Sequence, residues 1–161
     1  MSLSKSIDFL LENGGDVLKY RLHREILQDI SKPQEQALLE KVLETPAYKL
    51  LKRYVKPNGY IGIGMHSWDK FKETPLQDGE AAAQLLSNYA IPKSSPIIKN
   101  FISSLRNDEI LENEFSQEAA RFRNRHLGLA NGGGLMVLVY TCQALLGYGD
   151  DKEVLPLLPC L

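Results

Sequence analysis

Apolar residues recur at three- and four-residue intervals along almost the whole chain, and the strict alternation of a half-buried strand is nearly absent. That regularity confines the chain to an all-α fold. Ile7, Leu10 and Leu11 mark a first short helix, stopped by Asn13-Gly14-Gly15 because glycine accepts positive φ at a helix C-terminus. Asp16 can cap a second helix with the stripe Leu18, Leu22, Ile26 and Ile30, which Ser31-Lys32-Pro33 breaks. Leu38, Leu39, Val42 and Leu43 carry a third. Thr45-Pro46 then supplies an N-cap and a proline at the first helical position, where its missing N–H costs nothing. Ala47, Leu50, Leu51, Tyr54 and Val55 follow on a fourth helix.

Pro57 to Pro75 breaks the pattern. This stretch holds Gly59, Gly62 and Gly64, shows no helical period, and is long for a connection inside a compact domain. Tyr60-Ile61-Gly62-Ile63 suits a short strand or turn with no evident partner. Helices resume with Ala82, Leu85, Leu86 and Tyr89, and Ser95-Pro96 opens another with Ile98, Phe101, Ile102 and Leu105. After the acidic stretch Asp108, Glu109, Glu112 and Glu114, Ser116 can cap a helix to about Ala130. Asn131-Gly132-Gly133-Gly134 leads into Leu135–Leu146, which is hydrophobic nearly all round and is therefore predicted to lie at the centre of the fold. Gly147-Tyr148-Gly149 ends it.

Eight or nine helices joined by short Gly/Pro/Ser turns favour antiparallel neighbours. The predicted architecture is an array of antiparallel helical hairpins, HEAT-like or a partial α/α toroid, in a single domain over residues 1–161. Within it, residues 1–3 read as an expression scar, 57–75 as a glycine-bearing loop and 156–161 as an irregular tail.

Composition narrows the function classes. The chain has 161 residues and balances 19 basic against 20 acidic side chains, for a formal net charge of −1. That argues against a strongly electrostatic nucleic-acid binder and against a basic membrane-surface protein. The two cysteines, Cys142 and Cys160, form neither a zinc-ligand pattern nor a disulfide framework. No metal site or cofactor is predicted. The longest apolar run, Leu135–Leu146, is too short to span a bilayer, and no basic-then-apolar leader opens the chain. The expectation is a soluble, cytoplasmic protein.

A family resemblance adds to this reading. Leu18-Lys19-Tyr20-Arg21-Leu22-His23-Arg24-Glu25-Ile26-Leu27 resembles the opening helix of bacterial proteins grouped with the prenyltransferase and squalene-oxidase repeat. The stretch ending Gly64-Met65-His66-Ser67-Trp68, the helix closing Leu85-Leu86-Ser87-Asn88-Tyr89-Ala90-Ile91-Pro92, and Leu145-Leu146-Gly147-Tyr148-Gly149-Asp150-Asp151 are similar in layout. The resemblance, over about residues 16–151, implies an α/α toroid or a HEAT-like stack. The departures are chemical. Asp150-Asp151 lacks the upstream acid of the Asp-x-Asp-Asp motif of terpene cyclases, and Val154 breaks an Asp-Asp-x-x-Asp pattern. No zinc-binding set of Asp, Cys and His can be assembled, so no catalytic residue carries over.

Among the candidate sites, His66-Ser67-Trp68-Asp69 in the glycine-bearing loop comes first, because functional residues concentrate in loops held by a rigid scaffold. With Tyr60 and Tyr89 they form the candidate pocket Tyr60, His66, Trp68, Asp69 and Tyr89, in which His66 could act as acid or base. The plain structural alternative has Trp68 plugging a helix end and His66 merely exposed. Arg121 and Arg125 lie one helical turn apart and could clamp an anion, whereas Arg123 points away. Their alternative role is to complement the helix dipole. His23 and His126 fall in apolar arcs and suit hydrogen-bonded, partly buried imidazoles.

The leading expectation is a non-catalytic binding or interaction module with a protein partner, since helical stacks offer concave surfaces. The rival is a partial terpenoid-cyclase-like enzyme or carrier holding an apolar small molecule. A weak nucleic-acid binder using Arg121 and Arg125 comes third. A homodimer would cover the apolar face that a shortened toroid leaves open.

Overall fold

The computed structural model describes residues 3–66, 78–114, 137–152 and 154. Among these it holds eight helices and no strand beyond one isolated bridge. Ser116–Ala130, Asn131–Gly134 and the tail from residue 155 lie outside the described residues. Where the sequence reads as one domain, the backbone groups into two compact units, Met1–Leu50 and Leu51–Leu161.

The first unit contains α1 (Leu3–Asn13), α2 (Asp16–Arg21), α3 (Lys32–Leu43) and most of α4 (Pro46–Lys52), which crosses the unit boundary. Its boundaries follow the local signals. At the start of α3, Ser31 donates both its N–H and its hydroxyl to Gln34 Oε1, at 3.0 and 2.6 Å, and Pro33 lies in the first turn. Thr45 instead turns its hydroxyl back to the Val42 carbonyl, 2.7 Å away. α1 packs on α2 and α2 on α3, with Tyr20, Leu22, Val42 and Tyr48 buried.

The expected stripe Leu18, Leu22, Ile26 and Ile30 is not one face. α2 runs into a π-helical turn, Leu22–Leu27, whose wider winding slips the phase of the following side chains. Leu22 is buried, but Ile26 is 63 % exposed. The turn ends at Gln28, whose N–H reaches the His23 carbonyl at 2.8 Å and whose φ of +53 then turns the chain out of the helix. His23 is partly buried, as its position predicts, with Nδ1 2.8 Å from Asp29 Oδ1.

The second unit begins with a tight turn rather than an unpartnered strand. Val55 and Ile61 form an antiparallel bridge, so the partner missing from the sequence pattern lies only six residues upstream. The Lys56 N–H donates to the Tyr60 carbonyl at 2.8 Å, and the Gly62 N–H to that of Tyr54 at 3.0 Å. Gly59 has φ +86 and lies so close to α6 (Pro96–Leu105) that a Cβ would stand 2.8 Å from the Asn100 carbonyl oxygen. Only glycine satisfies both conditions without strain.

α5 (Gly79–Asn88) is capped by Asp78, whose Oδ1 accepts from the Ala81 N–H at 2.7 Å. It ends on Ala90 at φ +50, with the Ile91 N–H on the Leu86 carbonyl. α6 buries Ile98, Phe101, Ile102 and Leu105, the four positions its periodicity marks. The acidic stretch proves helical as α7 (Asp108–Glu114): Asn107 Oδ1 accepts from the Ile110 N–H at 3.1 Å, and acids in the first turn suit the helix dipole. α7 packs on α6. The last described helix, α8 (residues 137–143), continues as the π-helical turn Ala144–Tyr148, which packs on α5.

The core of this unit includes Leu51, Tyr60, Ile61, Met65, Leu86, Phe101, Leu105, Leu111 and Cys142, with the Tyr60 and Phe101 rings edge to face. The prediction of an all-round buried helix over Leu135–Leu146 needs correction. Val139, Cys142 and Leu146 are buried, but Leu145 is 42 % exposed while the polar Gln143 is 1 % exposed. A hydrogen bond from Arg106 offsets the burial of Gln143. Among the described residues no helix is long and apolar enough to cross a membrane.

Candidate functional site

The glycine-bearing turn places its candidates in two environments. Tyr60 is fully buried and donates its hydroxyl to the Gly64 carbonyl at 2.8 Å. The same carbonyl accepts from the Gly79 N–H at 3.0 Å, and the Met65 carbonyl accepts from the Glu80 N–H at 3.0 Å. The turn is thus sewn to the first residues of α5. The contact is close: a Cβ on Gly79 would lie 2.8 Å from Tyr60 Oη and 3.1 Å from Met65 Sδ. Met65 Sδ in turn lies 4.0 Å from Cys142 Sγ. Tyr60, Met65, Gly79 and Cys142 therefore fill this part of the interior with side chains in contact.

His66 stands on the outer side of this turn. Its Nδ1 is 2.5 Å from Glu80 Oε2, and both side chains are partly exposed. A carboxylate on one ring nitrogen orients the imidazole, an arrangement used both structurally and for proton transfer. Tyr89, half-buried, ends the same helix nine residues beyond Glu80, about 14 Å along its axis. Tyr60 and His66 share a turn, with Tyr60 buried and His66 at the surface. Trp68, Asp69, Arg121, Arg125 and His126 lie outside the described residues.

A second cluster gathers at the end of α8. The Tyr148 ring has Lys93 Nζ 3.8 Å and the Arg106 guanidinium carbon 5.2 Å from its centroid. Lys93 Nζ donates to the Gly147 carbonyl at 2.7 Å, where φ +88 turns the backbone out of the helix. Arg106 donates from Nε to Gln143 Oε1 at 2.8 Å and from Nη2 to Asp151 Oδ2 at 2.7 Å. Asp151 Oδ1 is also 3.9 Å from Lys93 Nζ. These contacts fasten the π-helical turn to the end of α6 and to the α5–α6 connection. Beside them lies an open depression of about 490 Å3, lined by Lys99, Ile102, Ser103, Arg106, Asn107 and Tyr148.

Sequence reasoning missed this cluster. The residues that meet are 37 to 55 positions apart in the chain (Arg106 to Gln143, Lys93 to Tyr148), and no spacing rule connects them. Glu80 was missed too, although an acid in the first turn after a loop histidine is a legible signal.

Titration behaviour follows burial. Burial pushes the Cys142 thiol up to about 12, with the Glu80 and Asp78 carboxylates adding to it, which disfavours its thiolate form. Burial likewise raises the Tyr60 hydroxyl, with Glu114 adding to it. Lys56 pairs with Glu114 at 2.5 Å and lies 5.5 Å from the Tyr60 ring centroid, holding the turn against the end of α7. Among the described residues no group of three or more side chains is placed to hold a metal ion. No protein-family model, no curated protein and no solved structure matches the chain.

Proposed function

We propose that this chain is a non-catalytic binding module, an array of helical hairpins of the HEAT-like or partial α/α-toroid kind that offers an open surface to a protein partner. The observation that carries it is the depression beside α6: it is shallow, lined by donors and a tyrosine, and backed by an arginine whose geometry is set by Gln143 and Asp151. Such a surface suits reversible docking more than enclosure of a substrate. The sequential packing of α1 on α2, α2 on α3 and α6 on α7 supports the hairpin arrangement.

The enzyme reading has one observation in its favour, the Glu80 carboxylate on His66 Nδ1. It is weakened by the packing behind His66, where Tyr60, Met65, Gly79 and Cys142 occupy the space an apolar substrate would need. Native mass spectrometry of the freshly purified chain separates the two readings. The expected spectrum is protein mass alone, as a monomer or a homodimer. A retained lipid-like mass that disappears in His66→Ala would refute the binding module in favour of an enzyme or carrier.

A further inference from the structure

We propose that the first unit opens as one cooperative element while the second stays folded, so that the chain carries a low-cost conformational opening over α1, α2 and α3. This goes beyond the binding-module reading and does not depend on it. The three helices have 11, 6 and 12 residues. Helices of that length are marginal in water on their own, so their stability comes from the apolar face they bury.

That face is only partly covered. α3 and α6 show the same sequence pattern, with apolar side chains three and four positions apart. In α6 the positions Ile98, Phe101, Ile102 and Leu105 are all buried. In α3 only Val42 is buried, while Leu38, Leu39 and Leu43 keep part of their surface in water. α1 buries no residue at all, and its Leu3 and Phe9 are 78 % and 60 % exposed. Stabilisation by burial scales with the apolar area removed from water, so α1 and α3 gain less from packing than α6 does.

The other contacts in the first unit do little to offset this. Arg24 links the π-helical turn to α3 through Glu35 Oε1, 3.4 Å from its Nε, but both side chains stand partly in water, where such pairs contribute little. Gln28 holds φ +53 without being glycine, which costs stability in the same unit. The second unit has a closed core of its own. Its Tyr60 and Phe101 rings meet edge to face, and Ile98, Leu105 and Leu111 are each 1 % exposed. Segments that cover little apolar surface open at a lower free energy than the whole chain unfolds.

The test is native-state hydrogen exchange of the full chain, followed residue by residue by NMR under conditions where exchange reports the opening equilibrium. After correction for intrinsic rates, the slowest amides of α2 and α3 are expected to exchange at least about tenfold faster than the slowest amides of α6. Val42→Ala removes part of a fully buried side chain from the first unit. It is expected to speed α2 and α3 by a common factor of at least about five and to leave α6 unchanged. Loss of all protection in α2 and α3 with α6 still protected supports the proposal equally. Glu35→Gln, a milder change, is expected to speed the same amides by a smaller common factor. A gap between α3 and α6 below about tenfold overturns the proposal. So does acceleration of α6 by the same factor as α3, because the chain then opens as a whole. Acceleration of α3 without α2 overturns it as well, because the helices then fray singly.

Discussion

Gly59→Ala tests whether the glycine-bearing turn is built as described. Alanine at φ +86 costs about 1–2 kcal/mol, because its Cβ crowds the following carbonyl. The same Cβ would stand 2.8 Å from the Asn100 oxygen and 3.1 Å from its carbonyl carbon. Those atoms belong to the backbone of α6, so no change of rotamer relieves the contact. Overpacking of this kind costs about 1–3 kcal/mol. Against this, alanine reduces the freedom of the unfolded chain and returns about 0.4–1 kcal/mol. The net loss is about 2–4 kcal/mol, which at a urea slope near 2 kcal/mol/M lowers the midpoint by about 1–2 M. Equilibrium urea unfolding followed by far-ultraviolet circular dichroism reads it directly. Gly15→Ala is the control: its φ is −72 and nothing lies within 4 Å of the new Cβ. A poorer N-cap and a stiffer unfolded chain nearly cancel there, leaving a change within about 0.5 kcal/mol. If Gly59→Ala behaves like Gly15→Ala, the close approach of this turn to α6 is wrong.

Gln28→Gly should stabilise the first unit by about 0.5–1 kcal/mol in urea unfolding, because an exposed glutamine is held at φ +53 with no side-chain hydrogen bond among the described residues; a loss of stability would contradict that backbone. Arg106→Ala should cost about 2–3 kcal/mol, most of it from stranding the buried Gln143 oxygen, whereas Lys93→Ala should cost about 1 kcal/mol, because its bond to the Gly147 carbonyl, its place on the Tyr148 ring and its long ion pair are all half-exposed to water. Equal losses in the two variants would mean that the guanidinium does not hold α8. In a Cys160→Ser background, Cys142 should react with Ellman's reagent at pH 8 at least a hundredfold more slowly in the folded chain than in urea, since its thiol is buried and pushed up to about 12. The linked stability is fully present below the unfolded thiol's range near pH 9. It falls as pH rises from there towards 12, because the unfolded chain releases the proton first. A urea midpoint no lower at pH 10.5 than at pH 8 would refute this.

Local signals located the helices well where one short-range interaction decides a boundary. Ser95-Pro96 opens α6, and Ile98, Phe101, Ile102 and Leu105 are its buried face, as their spacing predicts. Asn13-Gly14-Gly15 does separate α1 from α2, but not through positive φ: Gly15 has φ −72, and the Gly14 N–H closes the helix on the Leu10 carbonyl at 2.8 Å. The failures share a cause. The stripe through Ile26 assumes 3.6 residues per turn, and one π-helical turn is enough to rotate it out of phase. Leu145 and Gln143 exchange their expected environments because Arg106, far away in the chain, makes it favourable to bury the amide. His66 was legible as a candidate from its place in a glycine-bearing loop, but Glu80, which orients it, comes close only because Met65 and Glu80 share a backbone hydrogen bond.

By itself, then, the sequence determined the helical class and most helix starts and stops, since periodicity and caps are properties of a few adjacent residues. Tertiary structure alone decided that Tyr60 and Cys142 are buried in the core, and that Lys93, Arg106, Tyr148 and Asp151 converge beside α6. Burial and long-range charge contact depend on which distant segments pack together, and no local spacing encodes that.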